Sequence, residues 1–405
     1  MCLPRLLFSA VIIISFFSQV GFPEETARPD EESREASLAI EQEKKSKTTR
    51  PPQPDKAEAI ARKVEGIFLN DPSGWYPNFA SVYHGGGLTG GAGYRRYFGD
   101  NSFWDIKGLY SVLNYKLLEG SVESKDHAAK RLSFGSRQGW RDATQVAYYG
   151  LGITSKPEDR ANFRFQQTYL DGHMVFRPVR WIPLKGSVAY EHWETKEGQG
   201  NDPSIETRYT PITAPGLGAN PSYLHSQVSA GIDWRQSPGY TRRGGLYQVT
   251  FHDYRNNQGG VYSFQRLDGD VIQHFPLLRE TWILSLRGRV ETMLNENALV
   301  PYFLRPALGS GSTLRGFSSD RFRDLHRLLM TGEFRWIPNV WALDMAVFYD
   351  AGKVTNRRSD LNFSALKSDV GIGFRIHGPF STPLRVDVAV GNEGWPLVIS
   401  SAAPF

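Results

Sequence analysis

Few side chains in this sequence are spaced for catalysis. Nine histidines are scattered along the chain, with no His-Glu-x-x-His run and no cysteine placed to share zinc. His192-Trp-Glu194 is half of an acid–base pair at best, and it reads equally as a pair at the rim of a strand end. Gly309-Ser-Gly-Ser312 does not complete the Gly-x-Ser-x-Gly of a nucleophile elbow, and no helix follows it. Gly85-Gly-Gly-Leu-Thr-Gly90 matches a dinucleotide fingerprint, but without the helix and βαβ unit that give the fingerprint meaning. Glycines in a tightly curved strand explain it better. The chain is therefore expected not to be an enzyme and to hold no cofactor and no metal. What remains is a charge constellation. Arg315 stands in Leu308-Gly-Ser-Gly-Ser-Thr-Leu-Arg315-Gly316-Phe317, and Asp320-Arg-Phe-Arg-Asp324 follows. These pieces are rich in Gly, Ser and Arg and have no period, so they predict a long loop. Two acid-bearing segments come next, Gly332-Glu333-Phe-Arg-Trp336 and Phe348-Tyr-Asp350-Ala-Gly352.

The elements that position these charges are strands. In residues 342–350, Leu343, Met345, Val347 and Tyr349 share one face, and Asp344, Ala346, Phe348 and Asp350 the other. In residues 331–337, Gly332, Phe334 and Trp336 oppose Thr331, Glu333 and Arg335. Period 2 means β-structure, so a loop carrying Arg315 precedes two strands that show acids on their polar face. The same alternation recurs. Val228, Ala230, Ile232 and Trp234 oppose Ser229, Asp233 and Arg235. Trp282, Leu284, Leu286 and Val290 oppose Ser285, Arg287, Arg289 and Glu291. Val370, Ile372, Phe374 and Ile376 oppose Asp369 and Arg375; Leu384, Val386, Val388 and Val390 oppose Arg385 and Asp387. Earlier segments at 79–86, 88–97, 103–118, 131–141, 145–153, 162–176 and 184–192 also read as strands. Residues 203–221 form a Pro-rich loop, either a surface contact or a variable solvent-exposed connection.

Residues 1–20 carry one cation, Arg5, ahead of the apolar run 6–17, which predicts a secretory signal peptide. It takes the only cysteine, Cys2, with it, so no disulfide or thiol chemistry is expected. Residues 21–73 are polar, charged and Pro-containing, a disordered linker. Within it, 56–68 has Ile60, Val64, Ile67 and Phe68 on one helical side: a loose tether, or a helix that docks at the rim or plugs the lumen. A net charge of +5 over 405 residues, with no basic cluster, argues against nucleic acid as a partner. After the first twenty residues no stretch is long and apolar enough for a membrane helix. Mean hydropathy is −0.41, which a transmembrane barrel shares with soluble proteins, because only every second residue faces lipid. A signal peptide, apolar residues on one face of strand after strand, and a final Phe405 favour an all-β, transmembrane antiparallel barrel over a sandwich. At roughly 9–11 residues per tilted strand, residues 74–405 accommodate about 16 strands. The seam would join 79–86 to 395–405, a weak pairing because of Gly85-Gly-Gly87, Pro396 and Pro404.

At Leu314-Arg-Gly-Phe317 and Phe348-Tyr-Asp-Ala-Gly352 the chain resembles the bacterial surface-antigen barrel of the outer-membrane assembly superfamily, to which BamA, TamA and the two-partner secretion transporters belong. The resemblance covers residues 74–405. It implies that the long loop folds back into the lumen, that Arg315 pairs with Asp350 with Glu333 as a second acid, that Gly316 lets the tip turn tightly, and that Phe317 packs on the inner wall. It marks Phe348, Asp350 and Gly352 as the partner motif and Phe405 as the C-terminal signal. Only residues 21–73 separate signal from barrel, so the resemblance is to a branch with the barrel alone, without periplasmic POTRA modules. The implied function is a pore, or protein assembly or translocation across or into the outer membrane of a Gram-negative bacterium; the alternative is a passive porin-like or structural barrel. Implied partners are outer-membrane lipid, the barrel assembly machinery during the protein's own insertion, and a client polypeptide.

Overall fold

The computed structural model describes residues 72–99, 101–278, 280–295, 299–338, 343–378, 382, 384–400, 403 and 405. Residues 1–71, which hold the expected signal peptide, Cys2 and nearly all of the expected linker with its 56–68 stretch, lie outside the described residues, as does Pro404. Sixteen strands form one antiparallel sheet in which sequence neighbours are spatial neighbours. The first eight are β1 (Gly74–Asn78), β2 (Thr89–Phe98), β3 (Ser102–Ser111), β4 (Lys116–Asp126), β5 (Leu132–Tyr148), β6 (Ala161–Phe176), β7 (Leu184–Glu197) and β8 (Ser222–Asp233). Then come β9 (Gly244–Asn256), β10 (Phe264–Leu277) and β11 (Trp282–Met293). A two-strand hairpin, β12 (Ala307–Leu308) with β13 (Phe322–Arg323), stands apart from the sheet. The sheet resumes with β14 (His326–Trp336), β15 (Leu343–Thr355), β16 (Lys367–Ile376), β17 (Leu384–Val390) and β18 (Leu397–Ser400). This is the 16-strand all-β architecture that the alternation predicts.

Period 2 sorts the side chains into two faces. Outward on the last strands stand Val347, Tyr349, Val370, Ile372 and Phe374, all exposed; inward stand buried Asp344, Asp350, Asp369, Arg375 and Asp387. An apolar outer belt around a polar interior is the arrangement of a membrane barrel.

Three strand boundaries differ from the sequence expectation, each for a local reason. Residues 79–86 are loop, and the first strand is β1 instead: Gly85 and Gly87 adopt φ of +73° and +70°, which turns the chain out of the sheet. β1 and β18 are the terminal strands, and among the described residues no ladder joins them. Residues 103–118 are two strands, parted at Asn114, whose φ is +64°, a conformation that Asn tolerates. Residues 131–141 and 145–148 fall almost wholly in one strand, β5, interrupted by a register shift between Ala143 and Val146, and 149–153, expected as strand, lie in the loop after it. A bulge adds one residue and inverts the alternation beyond it, which reads in sequence as a break. The bulge is used: Thr144 Oγ1 and Gln145 Nε2 donate to the Leu113 carbonyl at 2.9 and 3.1 Å.

The two ends of the sheet differ. At one end the connections are long, and several fold inward over an apolar cluster that includes Tyr148, Phe163, Phe165, Trp193, Tyr223 and Tyr302. The 203–221 connection, expected to be solvent-exposed, takes part in this cover. Ile205 and Ala214 are fully buried, Tyr302 N donates to Pro215 O at 2.8 Å and Tyr148 Oη to Thr213 O at 2.7 Å. At the other end the turns are short, except that 234–243 tucks inward. Tyr240 packs with Ile283 and Ile337, stacks 4.2 Å from the His377 ring and donates to Asp344 at 2.8 Å.

Candidate functional site

The inward face of β14–β17 is covered by residues 309–321, which the β12–β13 hairpin closes into a loop. The loop carries its own apolar core, Leu308, Leu314, Phe317 and Phe322, and seats it on Leu329 of β14 and Val354 of β15. Phe317 meets Phe322 edge-on at 5.3 Å. Two glycines make the fold of this loop possible. Gly309 has φ of +98°, and a Cβ there would lie 2.1 Å from Ser318 O. Gly316 sits at the tip for a different reason from the one its motif implies: it is not among the positive-φ residues. A Cβ on Gly316 would come within 2.5 Å of Asp369 Cβ and 2.9 Å of Gly391 N. Closeness to the wall, not turning, demands the glycine.

Pressing the tip onto the wall delivers Arg315. Its Nε and Nη2 donate to the two Asp350 oxygens at 2.7 and 3.0 Å. Its Nη1 reaches Glu333 at 3.3 Å and Asp387 at 3.2 Å. The guanidinium carbon lies 3.3 Å from the Phe348 ring centre, so the cation is held on its face as well as its edges. The side chains of Arg315 and Asp350 are 1% and 0% exposed. Each member of the Phe348-x-Asp350-x-Gly352 segment contributes differently. Phe348 stacks on the guanidinium, Asp350 chelates it, and Gly352 leaves room for Leu308, whose Cδ1 would lie 3.1 Å from an added Cβ.

Arg315, Asp350 and Glu333 are the members that the sequence motifs single out; the rest of the cluster emerges only in the fold. Arg375 Nη2 donates to Glu333 at 2.6 Å and lies 3.6 Å from Asp387. Arg385 Nε stands 3.4 Å from Asp387, and its Nη2 donates to Gly311 O of the loop. Three guanidiniums thus alternate with Glu333, Asp350 and Asp387 in a buried cluster. Such a group is tolerable because each charge faces an opposite one, and removing one member strands the others. Asp369 lies across from Asp350 in register. The signal for all four is present as polar residues on alternating strands; what sequence cannot show is which rung each charge occupies.

The remainder of the loop ties the long-loop end together. Arg321 Nε donates to Glu393 of the β17–β18 turn at 2.7 Å, while its Nη1 and Nη2 donate to Ser155 Oγ and O at 2.8 and 2.7 Å. Arg323 Nη1 donates to Tyr302 O at 2.9 Å and Nη2 pairs with Asp320 at 3.0 Å. Phe405, expected at the end of a seam strand, has its ring 6.0 Å from His274 of β10 and 6.0 Å below the Arg287 guanidinium of β11.

Residues 190–394 match the Omp85 superfamily domain. Comparison with curated proteins gives no match. Among solved structures, the chain resembles BamA from Haemophilus ducreyi lacking POTRA domains 1-3, with TM-score 0.57 and 12% identity over 82% of this chain and 69% of that one. CdiB from Escherichia coli gives TM-score 0.51 and 10% identity, over 80% of this chain and 61% of CdiB. At such identities the likeness is one of fold. The family match covers just over half of the chain and includes all four acids and all three guanidiniums of the cluster. On that match, the chain belongs to the Omp85 superfamily.

Proposed function

We propose that this protein is an outer-membrane barrel of a Gram-negative cell that admits polypeptide to or through the membrane, and that the 309–321 loop sets the state of its lumen. In this reading residues 1–20 are a removed signal, 21–73 a linker, and the short-turn end faces the periplasm, as in outer-membrane barrels generally. Outer-membrane lipid surrounds the belt, and the barrel assembly machinery, reading Phe405, inserts the chain. The observation that carries the reading is the dry Arg315 cluster, in which one loop cation satisfies acids on three separate wall strands. A passive pore has no use for so costly a contact, since taking charges out of water costs several kcal/mol per ion before pairing. The packed aromatic cover at the long-loop end also supports a lumen that is shut at rest over one that leaks steadily. Planar-bilayer conductance of the refolded full chain tests this. Wild type should show a small, quiet conductance; Arg315→Ala, and deletion of 309–321, should raise its size or open frequency. The same conductance in all three would leave the loop without a gating role.

A further inference from the structure

At the short-turn mouth lies a cavity of about 1140 Å³. Inward-facing Lys185, Ser229, Asp233, Gln248 and His274 of β7–β10 line it, with the β6–β7 and β8–β9 turns at its rim. Lys185 alternates with exposed Leu184, Asp233 lies between exposed Ile232 and Trp234, and His274 is followed by exposed Phe275. The cavity is therefore lumenal, not a groove on the lipid side. Five cations line it, Arg177, Arg180, Lys185, Arg235 and Arg243, against a single acid, Asp233. That acid is already taken: Arg235 Nε and Nη2 donate to its two oxygens at 3.0 and 2.9 Å. Arg243 stands 3.7 Å from Glu280 with its side chain 63% exposed. Arg177, Arg180 and Lys185 form no ion pair with any described residue. Trp181, exposed in the β6–β7 turn, adds flat apolar surface at the rim.

We propose that this cavity receives an acidic, extended polypeptide segment arriving at the short-turn mouth. The uncommitted cations come from the β6–β7 turn and the start of β7, and Arg243 reaches in from the neighbouring β8–β9 turn. They are spread out, which suits carboxylates repeating along a chain better than one compact anion. An extended segment rises about 3.3 Å per residue, so several of its side chains face the cavity at once. A lipid phosphate fits less well, because its acyl chains would lie in an aqueous lumen at the full hydrophobic penalty. The inference rests on the reading that the barrel handles polypeptide, and it supplies a recruitment surface on the barrel itself.

The test uses the refolded full chain in uncharged detergent micelles and a fluorescein-labelled decapeptide of alternating Glu and Ser, read by fluorescence anisotropy. The peptide should bind, with affinity falling as salt rises, while a Lys-Ser decapeptide should not. The triple variant Arg177→Glu, Arg180→Glu, Arg243→Glu should weaken binding about tenfold or more while keeping wild-type heat-modifiable mobility on gels. Should the triple variant misfold, Arg180→Gln and Arg243→Gln, tested singly, should each weaken binding by a smaller factor. Unchanged affinity in the folded variants, or equal binding of the Lys-Ser peptide, overturns the proposal. So does displacement of the peptide by phosphatidylglycerol added to the micelles, which would make the site one for lipid. Binding is measured without conductance: if the peptide binds as expected but the loop variants conduct normally, the site stands and the gating reading falls.

Discussion

The lumen carries ion pairs on both sides of the barrel, and the two sides use them differently. Under the loop, on β14–β17, charges are buried, Glu333, Asp350 and Asp387 each touch a guanidinium, and Arg315 alone touches all three. On β2–β6 the same residue types form smaller groups whose cations are partly exposed: Arg95 with Asp105 at 3.0 Å, Lys107 with Glu119 at 2.7 Å, Arg137 with Asp171 at 3.3 Å. The outward faces differ as well. β16 shows Val370, Ile372, Phe374 and Ile376, all exposed, whereas β2 shows Gly90, Ala92, Tyr94 and Arg96. One region is a docked assembly of loop and wall; the other is a plain wetted wall. An ion pair's worth depends on what covers it: a wetted pair contributes about 0–1 kcal/mol, while breaking a buried one costs about 3–5 kcal/mol.

The largest effect should follow from inverting the central charge. Arg315→Glu places a further acid among Glu333, Asp350, Asp369 and Asp387 and leaves the loop without its anchor. Loss of about 3–5 kcal/mol is expected, read as a lower urea midpoint in micelles from tryptophan fluorescence. Adding Asp350→Arg should restore part of this and not all, because Glu333 and Asp387 also face the original cation. A single variant as stable as wild type would mean that the loop is not held by charge.

A steric change comes second. Gly316→Ala puts a methyl group against Asp369 and the backbone of Gly391, and overpacking of this kind costs about 1–3 kcal/mol. Its counterpart on the plain wall is Gly90→Ala in β2, where no atom lies within 4 Å of the new Cβ. That variant should stay within about 0.5 kcal/mol of wild type. Thermal melts of the pair, followed by gel mobility, give the comparison directly. Equal melting temperatures would show that the tip can lift from the wall at little cost.

Legibility in the sequence divides along the same line. Where alternation is unbroken, as in β14–β17, strands, faces and the Arg315 motif can be read from residue types. Where a bulge at Ala143 and Val146 inverts the period, or where Asn114 turns the chain at a left-handed φ, the boundaries are misread. Arg375, Arg385 and Asp387 are visible as inward charges but not as members of the cluster, since register between strands is set by turns and packing far from each residue. The inward tuck of 203–221 and of 234–243 leaves no periodic trace, because an irregular segment buries single residues such as Ile205, Ala214 and Tyr240.

Phe348→Leu should have a moderate effect. The leucine keeps apolar volume under the guanidinium but removes the ring face 3.3 Å away. Cation–π contacts contribute about 0.5–1 kcal/mol when exposed and about 2 when desolvated, so a loss near the upper figure is expected in this dry site. The ring also packs closely on Gly371, where an added Cβ would lie 2.3 Å from Phe348 Cζ, and the shorter leucine gives up part of that contact as well. Urea midpoints of Phe348→Leu and Arg315→Ala, alone and combined, isolate the pair term. A coupling indistinguishable from zero would mean that the arginine is held by carboxylates alone.

The smallest effect belongs to the wetted wall. Arg137 touches Asp171 through one contact at 3.3 Å, and its side chain is 48% exposed. His173 Nδ1 lies 3.1 Å from the same Asp171 oxygen, so removing the arginine does not leave the acid alone. Water reaches the arginine, which gives up rotamer freedom to make a single bond. Arg137→Met, which keeps the aliphatic stem, should therefore change stability by less than about 1 kcal/mol. Raising salt should shrink even that difference, because counterions screen exposed pairs, while leaving the cost of Arg315→Ala nearly unchanged. Urea midpoints of both variants at low and high salt make the comparison. If Arg137→Met costs as much as Arg315→Ala, or if both costs fall together with salt, the contrast between a dry assembly and a wetted wall does not hold.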